Sequence, residues 1–241
     1  MALGSREAIL TKCHGITEVG SYALLWSGGK DSALAFQRAR STGLEVSVLI
    51  SFFDAQSGRV RFHGTRAELL QDQANALGVE LRAAGTAWPD MEARLLHELA
   101  RLREEGFAGV ILGDIHLADV RAWYESRVRA AGLEHVEPIW GEPPAGLIRE
   151  FVRSGGRAVV TCVDLTRLEE RWLGRLVDER FVEEIDATGV DPCGENGEYH
   201  SFAFDGPPFQ HPVGWRLGET RTGPRFSQVD LLRPAAAGHA E

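Results

Sequence analysis

Leu24-Leu25-Trp26-Ser27-Gly28-Gly29-Lys30-Asp31-Ser32 is the stretch on which the reading of this chain turns. An apolar run enters a glycine pair, and Ala33-Leu34-Ala35-Phe36 continues with helical character, so the stretch reads as a buried strand, a tight turn and the opening of a helix. Adjacent glycines admit positive φ and let bare backbone N–H groups approach an anion. The helix N-terminus contributes partial positive charge, Lys30 a full one, and Ser27 and Ser32 hydroxyl donors. Together these are the parts of a phosphate cradle. The plain alternative is a strand-turn-helix joint in which Gly-Gly is only punctuation and Lys30 is solvated.

The loop lacks the glycine that opens a Walker A motif and places Asp31 where that motif has Ser or Thr. Ser27-Gly28-Gly29-Lys30-Asp31-Ser32 instead resembles the PP-loop of the ATP pyrophosphatases, which adenylate carboxyl or carbonyl oxygens and release pyrophosphate. Composition gives a second hint. Of 26 basic residues only Lys12 and Lys30 are lysines, so an arginine-rich chain keeps a compact ammonium in the loop, where a planar guanidinium would crowd phosphates.

At 241 residues, 44% of them hydrophobic, the chain can bury one substantial core or two modest ones. A formal net charge of −9 argues against broad nucleic-acid binding, which needs clustered basic charge. No apolar run approaches the roughly 20 residues of a membrane span, and the N-terminus lacks a signal peptide's apolar core, so a soluble cytoplasmic protein is expected. Cys13, Cys162 and Cys193 include no CxxC pair and encode neither a zinc ribbon nor a local disulfide framework. Cys162, inside an apolar run, reads as a buried small hydrophobe.

From Tyr22 to about Ala131, strand-like runs (Ala23 to Trp26, Glu45 to Phe53, Val79 to Ala83, Gly109 to Leu112) alternate with helical ones (Asp31 to Thr42, Thr65 to Leu77, Asp90 to Glu105, Asp119 to Ala131). Such alternation predicts an α/β fold with a parallel, Rossmann-like sheet covered on both faces. Gly43, Gly78, Gly106 and Gly132 each fall just past a helix, where a left-handed C-cap is wanted. Ligands of such sheets bind beyond the carboxyl ends of the strands, which draws attention to the PP-loop, to the loop reaching Phe62-His63-Gly64 and to Gly113-Asp114-Ile115-His116. Gly113 permits close approach, and Asp114 either binds ribose or Mg²⁺ or caps the next helix.

After Gly132 the pattern changes. A helix at Ala145 to Ser154, a strand at Ala158 to Val163 and a helix near Arg175 to Ile185 are followed by extended runs at Tyr199 to Phe204, Val213 to Leu217 and Phe226 to Leu232. The expected organisation is a loosely ordered segment (1–21), a PP-loop ATP-binding domain (22–131) and a smaller α+β substrate domain (132–241).

Between Asp191 and His200 the chain gathers acids, an amide and a histidine around two glycines: Asp191-Pro192-Cys193-Gly194-Glu195-Asn196-Gly197-Glu198-Tyr199-His200. Alone this could be a solvated surface turn. Beside a PP-loop it offers oxygen ligands for Mg²⁺ and groups to hold a second substrate. The PP-loop, Phe62-His63, Gly113-Asp114-Ile115 with Arg121, Glu125, Gly132-Leu133 and Pro138-Ile139-Trp140-Gly141, and then this segment resemble the diphthine-ammonia ligase family in order and spacing, over roughly Tyr22 to Leu232.

That resemblance implies an adenine-nucleotide hydrolase-type domain followed by a family-specific one, and an enzyme that uses ATP to adenylate a carboxylate and forms an amide with ammonia, releasing AMP and pyrophosphate. It implies ATP and Mg²⁺ as cofactors, with ammonia and a carboxylate, on a small molecule or a protein side chain, as substrates. A homodimer stays open. The family's amide-forming members show Glu-Gly-Gly-Glu-aromatic-Glu in the late motif, whereas Asn196 and His200 stand at its second and sixth positions here, a version similar to the bacterial branch. The acceptor is therefore left open, a cobamide precursor being one alternative. A tRNA-modifying PP-loop enzyme and a non-catalytic ATP-binding protein are the others.

The roles that follow place Ser27, Gly28, Gly29, Lys30, Asp31 and Ser32 on the β- and γ-phosphates, with Asp31 either holding Mg²⁺ or bracing the loop. Ser51 and Phe53, at a strand end where the superfamily's adenine lies, and Gly113 and Asp114 complete the nucleotide site, with Asp31 and Asp114 as the metal candidates. Lys30, Glu195 and Glu198 are the catalytic candidates; His63, Arg121, Glu125, Asn196 and His200 are the substrate-binding ones. Cys193 as a nucleophile is the weaker reading, since sequence places no base beside it and adenylation needs none.

Overall fold

The computed structural model describes residues 20–60 and 63–235. The expected loose segment falls outside these residues as far as position 19, with Lys12 and Cys13, and so do Phe62 and the chain after residue 235. Two sheets organise the rest. The first unit runs β1 (Ser21–Leu25), α1 (Lys30–Ser41), β2 (Glu45–Asp54), β3 (Arg59–Val60), α2 (Ala67–Leu77), β4 (Glu80–Thr86), α3 (Met91–Glu104), β5 (Gly109–Ile111), α4 (Ala118–Ala130) and β6 (Glu134–Val136).

Strands β4, β2, β1, β5 and β6 lie parallel in that lateral order, and β3 adds antiparallel at the end of β2. The chain leaves β1 toward β2 on one side and later returns to β5 on the other. Connections therefore diverge between β1 and β5, opening a crevice at their carboxyl ends, where the PP-loop begins. Side chains alternate across the sheet: Leu24, Leu49 and Ile111 join a core with Phe36 of α1 and Leu70 of α2, while Ala23, Val48 and Val110 pack with Leu95 and Leu99 of α3 and Val128 of α4.

The second unit comprises α5 (Pro144–Arg153), β7 (Arg157–Asp164), β8 (Leu176–Val177), α6 (Glu179–Asp186), β9 (Tyr199–Asp205), β10 (Arg216–Thr222) and β11 (Phe226–Leu232). Its sheet is antiparallel, with β9 along one edge of β7, β8 and β11 along the other, and β10 outermost beyond β11. The first core continues into this unit through Ile148, Phe151, Val160, Trp172, Phe181 and Tyr199, so the two sheets share one hydrophobic interior. Among the described residues no helix is long and apolar enough to cross a membrane.

Most expected elements form within a residue or two, and all four C-cap glycines take positive φ. Three differences are informative. The helix expected from Arg175 begins only at Glu179, because Leu176 and Val177 pair with β7 and the Asp178 carboxylate caps the helix by accepting from Phe181 N (2.8 Å). The extended run expected at Val213 to Leu217 is displaced to Arg216–Thr222, following Pro212 and Gly214. Strand β6 lies beyond residue 131 yet completes the first sheet; three residues paired on one edge leave too little pattern to read.

Candidate active site

The PP-loop follows β1 as expected and turns on one glycine. Gly28 has φ +83, which only glycine adopts without strain, whereas Gly29 is extended at φ −86 and precedes α1. Gly29 is small for another reason: a Cβ there would sit 3.0 Å from His63 and 3.3 Å from the Ser201 carbonyl. The loop's donors are held in place by hydroxyls. Gly29 N donates to Ser27 Oγ (3.2 Å), Lys30 N donates to Ser201 Oγ (3.3 Å), and Ser27 and Ser32 hydroxyls bond each other (2.8 Å). Phosphate oxygens arriving here would take over donors that are already aligned.

Gln73 of α2, wholly buried, ties the loop to the second unit. Its Nε2 donates to the carbonyls of Gly28 (2.9 Å) and Ala203 (2.6 Å), its Oε1 accepts from Trp26 Nε1 (2.8 Å), and Ala203 N donates to Gly28 O (2.9 Å). Strand β9 thus runs directly past the loop. Sequence reading missed Gln73 because an amide on a helix carries no signal until its four hydrogen-bonding positions are matched.

One cleft of about 390 Å³ is lined both by the loop, through Ser27, Lys30, Asp31 and Ser32, and by the late segment, through Cys193, Gly194, Glu195, Tyr199 and His200. Lys30 joins the two. Its buried ammonium donates to Asp31 Oδ2 (2.9 Å) and to the Cys193 carbonyl, and lies 4.8 Å from the centre of the Tyr199 ring. Burial works against that charge, yet Asp31, Tyr199 and Cys193 keep Lys30 protonated well above its ordinary range. Tyr199 OH donates to Pro192 O (2.6 Å), and Asp191 Oδ1 accepts from Cys193 N (2.7 Å) and so braces the turn.

The cleft is acidic on one side. Burial, then Asp31, pushes the Asp114 carboxyl up to about 6. Burial, then Asp31, likewise pushes Glu195 up to about 7 against the hydrogen bond that its Oε1 accepts from Ile115 N (2.9 Å). Gly113 brings that strand end close, since a Cβ there would lie 3.1–3.2 Å from the backbone of Asp31 and Ser32. Near the loop His63 and His200 pack with ring centres 4.6 Å apart and planes tilted by 43°. Burial lowers His63 to about 4 and His200 further, and Lys30 adds to both, so both rings are neutral at pH 7.

Several expected site residues sit elsewhere. Phe53 is core at 4% exposure, and Phe52 lines the cleft instead, because neighbours on a strand point to opposite faces. Ser51 is buried, its hydroxyl donated to the Trp26 carbonyl. Glu198 does not line the cleft: buried at the start of β9, its Oε1 accepts from Arg167 Nη1 (3.0 Å) and Asn196 Nδ2 (3.3 Å), and Asn196 is exposed. Arg121 and Glu125 lie behind the lining residues of α4, with Arg121 over the Trp140 ring (4.5 Å) and 3.1 Å from Glu137. The Cys193 thiol donates to Pro144 O (3.3 Å) and burial raises it far above the thiol range, which leaves no thiolate nucleophile.

Mg²⁺ is the ion an ATP site of this kind would need. Among the described residues no three His, Cys, Asp or Glu side chains are arranged to hold a metal unaided. Asp31 and Asp114, two carboxylates in one cleft of which the first raises the proton affinity of the second, nevertheless fit Mg²⁺, which is held by one or two carboxylates plus substrate phosphates and water.

Comparison with known proteins bears on the whole length. Residues 20–135 match the model of the diphthamide synthase N-terminal domain and residues 143–220 that of the diphthamide synthase C-terminal domain. A human protein named diphthine-ammonia ligase is 26% identical over 216 residues, covering 79% of this chain and 81% of the relative. Its namesake from Bos taurus is 26% identical over 238 residues (88% and 89%), and that from Danio rerio 28% over 151 residues (60% and 58%).

Proposed function

The chain belongs to the diphthamide synthase family, and from that premise we propose that it is an ATP-dependent ligase that activates a carboxylate as its adenylate and converts it to an amide with ammonia. The observation that supports this most is the shared cleft: Lys30 of the phosphate loop reaches the backbone of the turn that carries Glu195. A carboxylate is a poor acyl donor, but its adenylate has AMP as leaving group. Activation releases pyrophosphate and amide formation releases AMP.

In this reading the N–H groups of Gly29 and Lys30, the Ser27 and Ser32 hydroxyls and the Lys30 ammonium hold the β- and γ-phosphates, and Lys30 stabilises charge building on departing pyrophosphate. Phe52 packs toward the base beyond β2. Asp31 and Asp114 would hold Mg²⁺, which when bound neutralises phosphate charge. Neutral His63 and His200 flank the loop as polar contacts for the polyphosphate or acceptor, and Glu195 faces the acceptor's side of the cleft.

The test is incubation with ATP, Mg²⁺ and ammonium against a panel of acids, including elongation factor 2 bearing diphthine and a cobamide-precursor acid, with AMP, pyrophosphate and amide product measured. Acid-dependent AMP with matching amide supports the ligase. ATP bound without any turnover across the panel favours a non-catalytic nucleotide-binding protein.

A further inference from the structure

Behind the cleft a second polar group is buried with no aligned hydrogen bond to its acceptors. Glu137, whose side chain is 1% exposed, follows β6, and neither of its carboxylate oxygens receives a hydrogen bond; His135 Nε2, 2% exposed, is likewise without a partner and lies 3.3 Å from Glu137 Oε1. Arg121 Nε approaches Glu137 Oε2 to 3.1 Å without the alignment of a hydrogen bond, its guanidinium lying over Trp140. Leaving such acceptors buried and unfilled costs on the order of a lost hydrogen bond for each.

This group is wired to the cleft. Gly141 N donates to Ile115 O (2.8 Å), and Ile115 N donates to Glu195 Oε1 (2.9 Å), which stitches the Glu137–Gly141 segment to the strand end bearing Asp114. Burial, then Asp114, holds the Glu137 carboxyl up at about 7, with Glu125 and Glu195 pushing the same way and Arg121 opposing. Four acids therefore stand against two arginines, Arg121 and Arg129, the latter 2.6 Å from Glu125.

We propose that Glu137 and His135 form a buried subsite for ammonium, the nitrogen donor of the ligase reaction, behind the Asp114 and Glu195 side of the cleft. The inference rests on the ligase reading for its role but not for its site. Ammonium is water-sized, carries one positive charge and presents four N–H donors, the complement of two carboxylate oxygens, an imidazole Nε2 in the Nδ1–H tautomer and surplus negative charge. A divalent ion suits it less, since one carboxylate and one imidazole, away from the cleft where substrate phosphates would lie, leave its coordination unfilled. In the reaction ammonium gives one proton to the Glu137 carboxylate, and the ammonia so formed passes to the cleft, where its lone pair forms the C–N bond to the adenylate's acyl carbon. The C–O bond to phosphate breaks, AMP departs, and the second proton leaves the nitrogen for solvent.

Crystals of the full chain soaked in thallium(I), a monovalent stand-in for ammonium, should show an anomalous peak against the Glu137 carboxylate that disappears in Glu137→Gln. That variant should fold with an unchanged or higher melting temperature, since it removes a buried charge without an aligned partner. In the ligase assay its KM for ammonium should rise by about tenfold to a hundredfold. Hydroxylamine, neutral at assay pH and needing no proton removed before it attacks, should serve it as well as the parent. No thallium peak at Glu137, or an unchanged ammonium KM, overturns the subsite. A peak together with no ATP-pyrophosphate exchange for any acid sinks the ligase reading and leaves the cation site standing.

Discussion

At the phosphate end of the cleft, six consecutive residues supply aligned N–H groups, hydroxyls and one ammonium, whereas at the acidic end Asp114 and Glu195 line the cleft with Glu137 buried behind them, three acids from distant segments that crowd like charges together. The first end is complete as it stands, its donors bonded internally. The second is strained electrostatically, with carboxyls held up near 6 or 7 by burial and by one another. A site built from backbone can be rigid and self-sufficient, while a site built from buried acids is completed by the cations it binds.

The sharpest way to break the comparison is at Lys30, the group that touches both ends. Lys30→Ala should lower acid-dependent pyrophosphate release by on the order of a thousandfold, ~4 kcal/mol of transition-state stabilisation. Circular dichroism should show the fold retained; undiminished release would remove the loop from the chemistry. Next comes the strand that ends beside the loop. Phe53→Ala should cost about 3 kcal/mol in urea unfolding, as a buried aromatic does. Phe52→Ala should instead weaken ATP binding by about tenfold in calorimetry with a smaller change in stability. Equal effects from the two would mean that the base lies elsewhere.

The contiguous end was legible because motif, strand-turn-helix context and lysine choice all sit within nine residues, and the alternation of β1 to α4 follows from local periodicity. The acidic end was legible only in part. Gly113-Asp114 and Glu195 stand out as loop residues after strands or in a dense polar turn, but Glu137 looks like any surface acid until β6 pairs with β5 and buries it. Phe52 and Phe53 could not be told apart, since which face of β2 meets the cleft depends on β1 and β4 on either side. Gln73 is invisible for the same reason, as its three partners are Trp26 just past β1, Gly28 of the loop and Ala203 of β9.

Electrostatic strain at the acidic end has a pH signature. The Glu195 carboxyl stands at about 7 in the folded chain against an ordinary 4.5, so between those values the folded state holds the extra proton and this group's contribution falls as pH rises from about 4.5 to about 7. His63 slopes the other way: lowered from 6.5 to about 4, it is charged first in the unfolded chain, and its contribution falls as pH drops below 6.5. The two nearly offset in the parent. The stability difference between Glu195→Gln and the parent isolates the acid, and should grow in the variant's favour by on the order of 1–2 kcal/mol from pH 4.5 to 7. A flat difference would show that Glu195 is solvated rather than confined.

The smallest effect is expected three residues away. Glu195 and Glu198 look interchangeable in sequence, yet Gly197 at φ +85 turns the chain between them, so that Glu195 faces the cleft while Glu198 enters β9 and meets Arg167 and Asn196. Gln at 198 keeps the one oxygen, Oε1, that accepts from both donors and removes a charge whose partner, Arg167, is half exposed, so the loss of stability should stay within ~1 kcal/mol. Turnover in Glu198→Gln should remain within about twofold of the parent, because the side chain touches neither the phosphate end nor the acidic end. A turnover loss in Glu198→Gln as large as that in Glu195→Gln would mean that β9 shifts when substrate binds and carries Glu198 into the cleft, and the division between a finished end and an unfinished one would then have to be redrawn along that strand.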